Sequence, residues 1–136
     1  MLKRFSISLE KKLLEKFDKY ISVRKYTNRS EAIRDLIREA FVREEWDSDK
    51  DVFGVITFVF DHHQPKVQDK ITELQHDYYE DVVSTTHVHI DHHNCLEVVI
   101  VTGKAKKVLQ LYESIKALRG VKNANLSMST TGGNLN

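Results

Sequence analysis

At 136 residues, with 21 Lys and Arg against 20 Asp and Glu and a formal net charge of +1, the chain is long enough for one ordinary domain or two small ones. No apolar run approaches the length of a membrane-spanning helix, and residues 1–9 alternate polar with apolar side chains instead of forming a signal-peptide core, so a cytoplasmic protein is expected. The single cysteine, Cys95, excludes an intrachain disulfide and fits a reducing compartment in which a thiolate can be kept for a metal.

The charge is unevenly spread. Residues 1–43 carry twelve basic and six acidic side chains, a net +6, and residues 44–51 then carry five acids and one lysine, a net −4. The basic block looks toward a polyanion and the acidic stretch looks like a boundary, dividing the chain into 1–45, a linker over 46–52, and 53–136. Lys3 to Leu9 alternates strictly, which places Phe5, Ile7 and Leu9 on one face and Arg4, Ser6 and Ser8 on the other. Leu13, Leu14, Phe17, Tyr20 and Ile21 then follow helical spacing, and Ala32, Ile33, Leu36, Ile37, Ala40 and Phe41 repeat it. Asn28 stands three residues before Glu31, a capping-box spacing, with Ser30 as the alternative cap.

One strand and two helices of this size cannot bury a core alone, so the unit is expected to pair with a second copy, strand against strand. The resulting antiparallel ribbon fits the major groove of double-stranded DNA, where Arg4 can read guanine and Ser6 and Ser8 can reach base edges. Backbone amides around Asn28, Arg29 and Ser30 favour a phosphate, which positions the ribbon without reading sequence. Lys11, Lys12, Lys16 and Lys19 read as a solvated helix face. Glu31 and Asp35 usually would too, although two carboxylates near a backbone turn can also hold a cation.

From residue 53 the pattern changes to strand 53–60, helix 65–76 with Pro65 in its first turn, strand 82–90, returning strand 95–102, a helix marked by Val108, Leu111, Ile115 and Leu118 and capped by Gly120, and strand 121–128. The order βαββαβ predicts a ferredoxin-like antiparallel sheet with both helices on one face, and hence an α+β protein whose other sheet face another subunit covers. The tail 129–136, rich in Ser, Thr, Gly and Asn, is expected to fray.

The segment from Thr86 to Glu97 holds four of the seven histidines and the cysteine. Period two puts His87 and His89 on one face of a strand, and a hairpin return brings Cys95 and Glu97 to that same face. Two imidazoles and one thiolate suit zinc, copper or nickel, and the spacing alone does not choose among them. His76, at the end of a helical run, is the best candidate for a fourth ligand, and Glu97 could steady a ligand histidine through its second ring nitrogen. His62, His63, His92 and His93 fall at strand ends or in the turn, where solvated surface positions with weak accessory metal binding are expected. Two further classes fit parts of the pattern: a zinc enzyme with water in the fourth position and Glu97 as base, and a ribbon-helix-helix repressor that senses a small molecule.

The stretches Asn28-Arg29-Ser30-Glu31-Ala32-Ile33-Arg34-Asp35, Thr86-His87-Val88-His89 and Asn94-Cys95-Leu96-Glu97, together with His76, resemble the nickel-responsive repressor family NikR over essentially the whole chain. The resemblance implies an N-terminal ribbon-helix-helix domain followed by an ACT-type regulatory domain. It implies a homotetramer, a dimer of dimers, binding one Ni(II) per chain in a square-planar set of His87, His89, Cys95 and the His76 of a neighbouring subunit. It further implies recognition of a palindromic operator by Arg4, Ser6 and Ser8, control of nickel uptake, and a potassium-like ion near Glu31 and Asp35. Lys25 departs from the family, which often has glycine there, and a left-handed backbone would be strained for lysine.

Overall fold

The computed structural model describes residues 1–136 and divides them into two compact units, 1–40 and 41–136. In the first, residues 1–10 carry no regular secondary structure and lead into helix α1, Lys11–Val23. Helix α2, Arg29–Asp47, begins in this unit and ends in the second. Asn28 is its cap, accepting the Glu31 N–H on Oδ1 at 2.9 Å, so Ser30 is not needed for that role. Glu31 turns its own carboxylate to the Thr27 hydroxyl, 2.7 Å away, in place of the reciprocal bond of a full capping box.

Lys25 does adopt the left-handed conformation, with φ 61°, and the turn is held by Tyr26 N–H donating to Ile21 O at 3.1 Å. Such a conformation costs a non-glycine residue about 1–2 kcal/mol, which the turn contacts must offset. Ile21 and Ala32 are buried here, whereas Phe5, Ile7, Leu13, Leu36 and Ile37 are exposed. An alternating segment and two amphipathic helices thus leave an apolar surface that one copy of the unit does not cover.

The second unit is a four-stranded antiparallel sheet in the order β2-β3-β1-β4, with β1 Asp51–Asp61, β2 Val82–His89, β3 Asn94–Lys104 and β4 Val121–Met128. Helices α3, Val67–Asp77, and α4, Ala105–Lys116, complete the βαββαβ order expected of a ferredoxin-like unit. Alternation decides the faces. Val52, Ile56, Phe58 and Phe60 of β1 and Cys95, Glu97, Val99 and Val101 of β3 are buried, together with Val67 and Ile71 of α3 and Val108, Leu111 and Ile115 of α4. Full burial of side chains such as Phe58 and Phe60 contributes about 1.5–3 kcal/mol each. Val55, Thr57 and Val59 of β1 and Leu96, Val98 and Ile100 of β3 form the half-buried opposite face.

Three boundaries differ from expectation. Helix α3 starts at Val67, because Lys66 takes a left-handed φ of 64° and serves as the N-cap, leaving Pro65 in the preceding turn. Gly120 does not cap α4. That helix closes at Ala117, whose N–H donates to Glu113 O, and Gly120, with φ 101°, instead turns the chain into β4. The tail begins anchored: Ser129 N–H donates to Phe53 O at 2.9 Å, Ser129 O accepts the buried Trp46 indole N–H at 2.9 Å, and Thr130 Oγ1 donates to Glu45 at 2.8 Å. Of residues 46–52, Trp46 and Asp47 end α2 while Asp51 and Val52 open β1, so most of that stretch is regular structure. No helix is long and apolar enough to cross a membrane.

Candidate metal centre

The β2–β3 hairpin builds the site. Its ladder sets His87 opposite Glu97 and His89 opposite Cys95, and directly opposed residues of an antiparallel pair share a face, so all four point to the helix side of the sheet. The donor atoms of His87, His89 and Cys95 lie within 4.8 Å of one another, with Cys95 Sγ 3.6 Å from His89 Nδ1. The two imidazoles meet edge to face at 4.9 Å between centroids, and Phe60 supports His87 in the same manner at 5.9 Å. Cys95 is buried while both rings open to solvent, because β2 is an edge strand.

Behind the donors lies a polar relay. Thr85 Oγ1 donates to Gln75 Oε1 at 2.8 Å, and Gln75 Nε2 donates to Glu97 Oε1 at 2.7 Å. The second oxygen of buried Glu97, Oε2, has no hydrogen-bond partner, and His87 Nδ1 stands 3.7 Å from it. Burial pushes the Cys95 thiol above its ordinary value, and the nearby charges of Glu97 and Asp91 push it the same way. These groups fit a cation. A bound borderline ion would compensate the buried carboxylate, draw its unpartnered oxygen toward the N–H of a coordinated imidazole, and favour the thiolate that burial alone disfavours.

His76 is in the last turn of α3, exposed, its ring 6.3 Å from that of Tyr79, and it is not among the three converging donors. Within one chain the centre therefore has two imidazoles and a sulfur. Sequence reading missed Gln75 and Thr85. Thr85 precedes His87 by the strand period of two, and Gln75 is the neighbour of His76, so the spacing carried a signal for both.

In the first unit, Arg4, Ser6 and Ser8 are exposed, as are Asn28, Arg29 and Ser30. The Asn28 side chain is used as a cap, and the Arg29 guanidinium is bidentate to Asp18, with Nε and Nη2 each at 2.9 Å. That pairing holds the Asp18 carboxyl below its usual range, so the charge expected to favour phosphate at Arg29 is already partnered. Glu31 and Asp35 are also engaged, by Thr27 Oγ1 at 2.7 Å and by the Tyr26 hydroxyl at 2.8 Å.

Comparison with known proteins agrees with both halves. Residues 3–44 match the ribbon-helix-helix protein family of copG type, and residues 53–129 match the NikR C-terminal nickel-binding domain. A protein of Desulfotalea psychrophila assigned as a nickel-responsive regulator is 58% identical, over 99% of both chains. Another so assigned, from Caldanaerobacter subterraneus, is 50% identical over 97% of this chain and 86% of its own. An uncharacterized Thermotoga maritima protein of solved structure superposes with a TM-score of 0.53 at 15% identity, covering 57% of this chain and 96% of its own, and shares the fold. The chain is thus a transcriptional regulator and not an enzyme: it belongs to the NikR family of nickel-responsive ribbon-helix-helix proteins.

Proposed function

We propose that this regulator is a repressor whose hold on a palindromic operator requires Ni(II) at His87, His89 and Cys95, with His76 of a second copy as the fourth ligand, in a tetramer built as a dimer of dimers. The observation that carries the reading is the convergence of three donors in front of a buried carboxylate whose outward oxygen lacks a partner. A donor supplied by another chain makes metal uptake an assembly event. It fixes the end of α3 that bears His76 and so favours one arrangement of the ribbons over others. Bound by these residues, nickel would supply the positive charge that joins the ligands, and the chain's own groups do the rest.

Gln75 holds Glu97, Glu97 faces His87, and Arg4, Ser6 and Ser8 of paired copies read the groove. Coupling between such sites is typically about 1–3 kcal/mol, and by reciprocity operator DNA tightens metal binding by the same factor. The genes so controlled are those of nickel uptake, as the family resemblance implies. The carboxylates of Glu31 and Asp35 are left out of this mechanism, since each already accepts a hydrogen bond from a hydroxyl.

An absorption titration of metal-free protein with Ni(II) tests the ligand set. Saturation at one tightly bound ion per chain, with a thiolate charge-transfer band that Cys95→Ala removes along with metal-dependent operator binding, is expected. Nickel-dependent operator binding retained in Cys95→Ala would refute the assignment.

A further inference from the structure

In a block of residues with net charge +6, one exposed arginine is turned back onto the chain itself. Arg29 opens α2 between Asn28 and Ser30, and Asp18 lies on α1, eleven residues earlier. The guanidinium donates through Nε to Asp18 Oδ1 and through Nη2 to Asp18 Oδ2, both at 2.9 Å. Two parallel bonds from a planar fork are the geometry by which arginine holds a carboxylate or a phosphate alike, so an edge suited to a DNA phosphate is filled by an acid of the same chain. Arg24 differs: it lies over the Tyr20 ring, 3.8 Å from the centroid, a contact that leaves its charge uncompensated.

The local fold has other supports. The turn between the helices is held by Tyr26 N–H on Ile21 O, Tyr26 donates its hydroxyl to Asp35 at 2.8 Å, and Asn28 caps α2. The pair is also open to water, its Arg29 and Asp18 side chains 57% and 46% exposed. An ion pair so placed is weak and exchanges with dissolved ions, unlike a buried one. A phosphate brought to this surface therefore meets a fork that is occupied but can be released.

We propose that Asp18 is a built-in competitor for DNA phosphate, its carboxylate holding the Arg29 fork against phosphates of any sequence and so lowering the affinity of the unit for DNA at large. Contacts to phosphate position a protein without reading bases. Withholding one of them weakens binding to the many non-operator sites of a genome and leaves more of the discrimination to side chains that face base edges. The proposal rests on the ribbon-helix-helix unit binding duplex DNA and is independent of the metal centre.

The test is fluorescence anisotropy of a labelled random-sequence duplex titrated with the full-length, metal-free protein over a series of salt concentrations. Asp18→Asn is expected to bind more tightly than wild type at low salt. Its log affinity should fall more steeply with log salt by about 0.9 for each Arg29 released, roughly a threefold larger loss between about 50 and 200 mM salt. Asp18→Ala should show the same gain, and an unchanged far-UV circular dichroism spectrum checks the fold of both. Glu15→Gln removes the same charge from an exposed position of the same helix without touching the pair, and should leave the slope as in wild type. In an Arg29→Ala background, Asp18→Asn should change nothing, a cycle that isolates the pair from the overall charge. Affinity and slope equal to wild type in both Asp18 variants, an equal gain in Glu15→Gln, or a gain that persists without Arg29 would overturn the proposal. Weaker binding in folded Asp18→Asn would overturn it too, by making the carboxylate an aid to Arg29 instead of a rival.

Discussion

Gln75→Leu is the substitution that tests the relay behind the metal centre. It removes the donor on Glu97 Oε1, and because Oε2 has no hydrogen-bond partner, the variant leaves a buried carboxyl with neither oxygen bonded. An unsatisfied buried polar group costs about 1–3 kcal/mol, so the metal-free protein should lose that much in a urea titration. Loss of a contact that orients a ligand histidine typically costs metal affinity about 10–100-fold, or roughly 1.4–2.8 kcal/mol. Competition with a chelator, followed by the thiolate band, reads the second quantity directly. Thr85→Val serves as the contrast. It removes only the outer bond of the relay, at an exposed hydroxyl that water can replace, and should change stability by no more than about 0.5 kcal/mol. Nickel affinity equal to wild type in Gln75→Leu, or equal losses in the two variants, would refute the idea that Glu97 transmits order from α3 to His87.

Three other outcomes are open to measurement. Arg4→Ala should flatten the preference for operator over random duplex by about 1–3 kcal/mol with nickel uptake unchanged, and a uniform loss on all sequences would reduce Arg4 to a phosphate contact. Gly54→Ala should destabilise the second unit by about 1–3 kcal/mol in denaturant, since its Cβ would lie 2.8 Å from Val108 Cγ1 and 3.2 Å from Leu126 Cδ1. The Asp91 carboxylate accepts from the Asn94 and His93 backbone amides and the Asn94 side chain, which hold it down from 3.8 to about 2. Its folded value lies below the unfolded one, so the hairpin turn keeps this contribution above pH 3.8 and loses it as the pH falls through about 2. A carboxyl NMR titration with an ordinary midpoint would contradict those bonds.

Much of this was legible in the sequence because the signals were periodic. The alternation of His87 and His89 with Val88, and of Cys95 and Glu97 with Leu96, needed only the strand period of two and a hairpin, and the ladder pairs them accordingly. Asn28 was readable as a cap for the same local reason. What was not legible depended on partners distant in sequence or on backbone choices without a side-chain marker. Pro65 suggested a helix start two residues early, because nothing at Lys66 announces a left-handed φ. Ser129 and Thr130 look like a free tail until Trp46 and Glu45 are seen to claim them, 83 and 85 residues away. Arg29 had the composition of a phosphate contact, and only folding shows Asp18 holding its guanidinium.

The register slip between Val82 and Ser84 has a consequence for how this site can be inherited or moved. The extra residue, exposed Val83, stands on the α3 side of the hairpin, upstream of every pairing that sets His87 against Glu97 and His89 against Cys95. Changes in the length of the segment leaving α3 can therefore be taken up there while the turn at Asp91–Asn94 keeps the downstream phase. The hairpin carries its own alignment and is a portable cassette: grafted onto another antiparallel sheet through a flexible junction, Thr86–Glu97 should still present two imidazoles and a sulfur on one side. The segment that leaves the helix bearing His76 can therefore change length without scrambling the pairing it leads into.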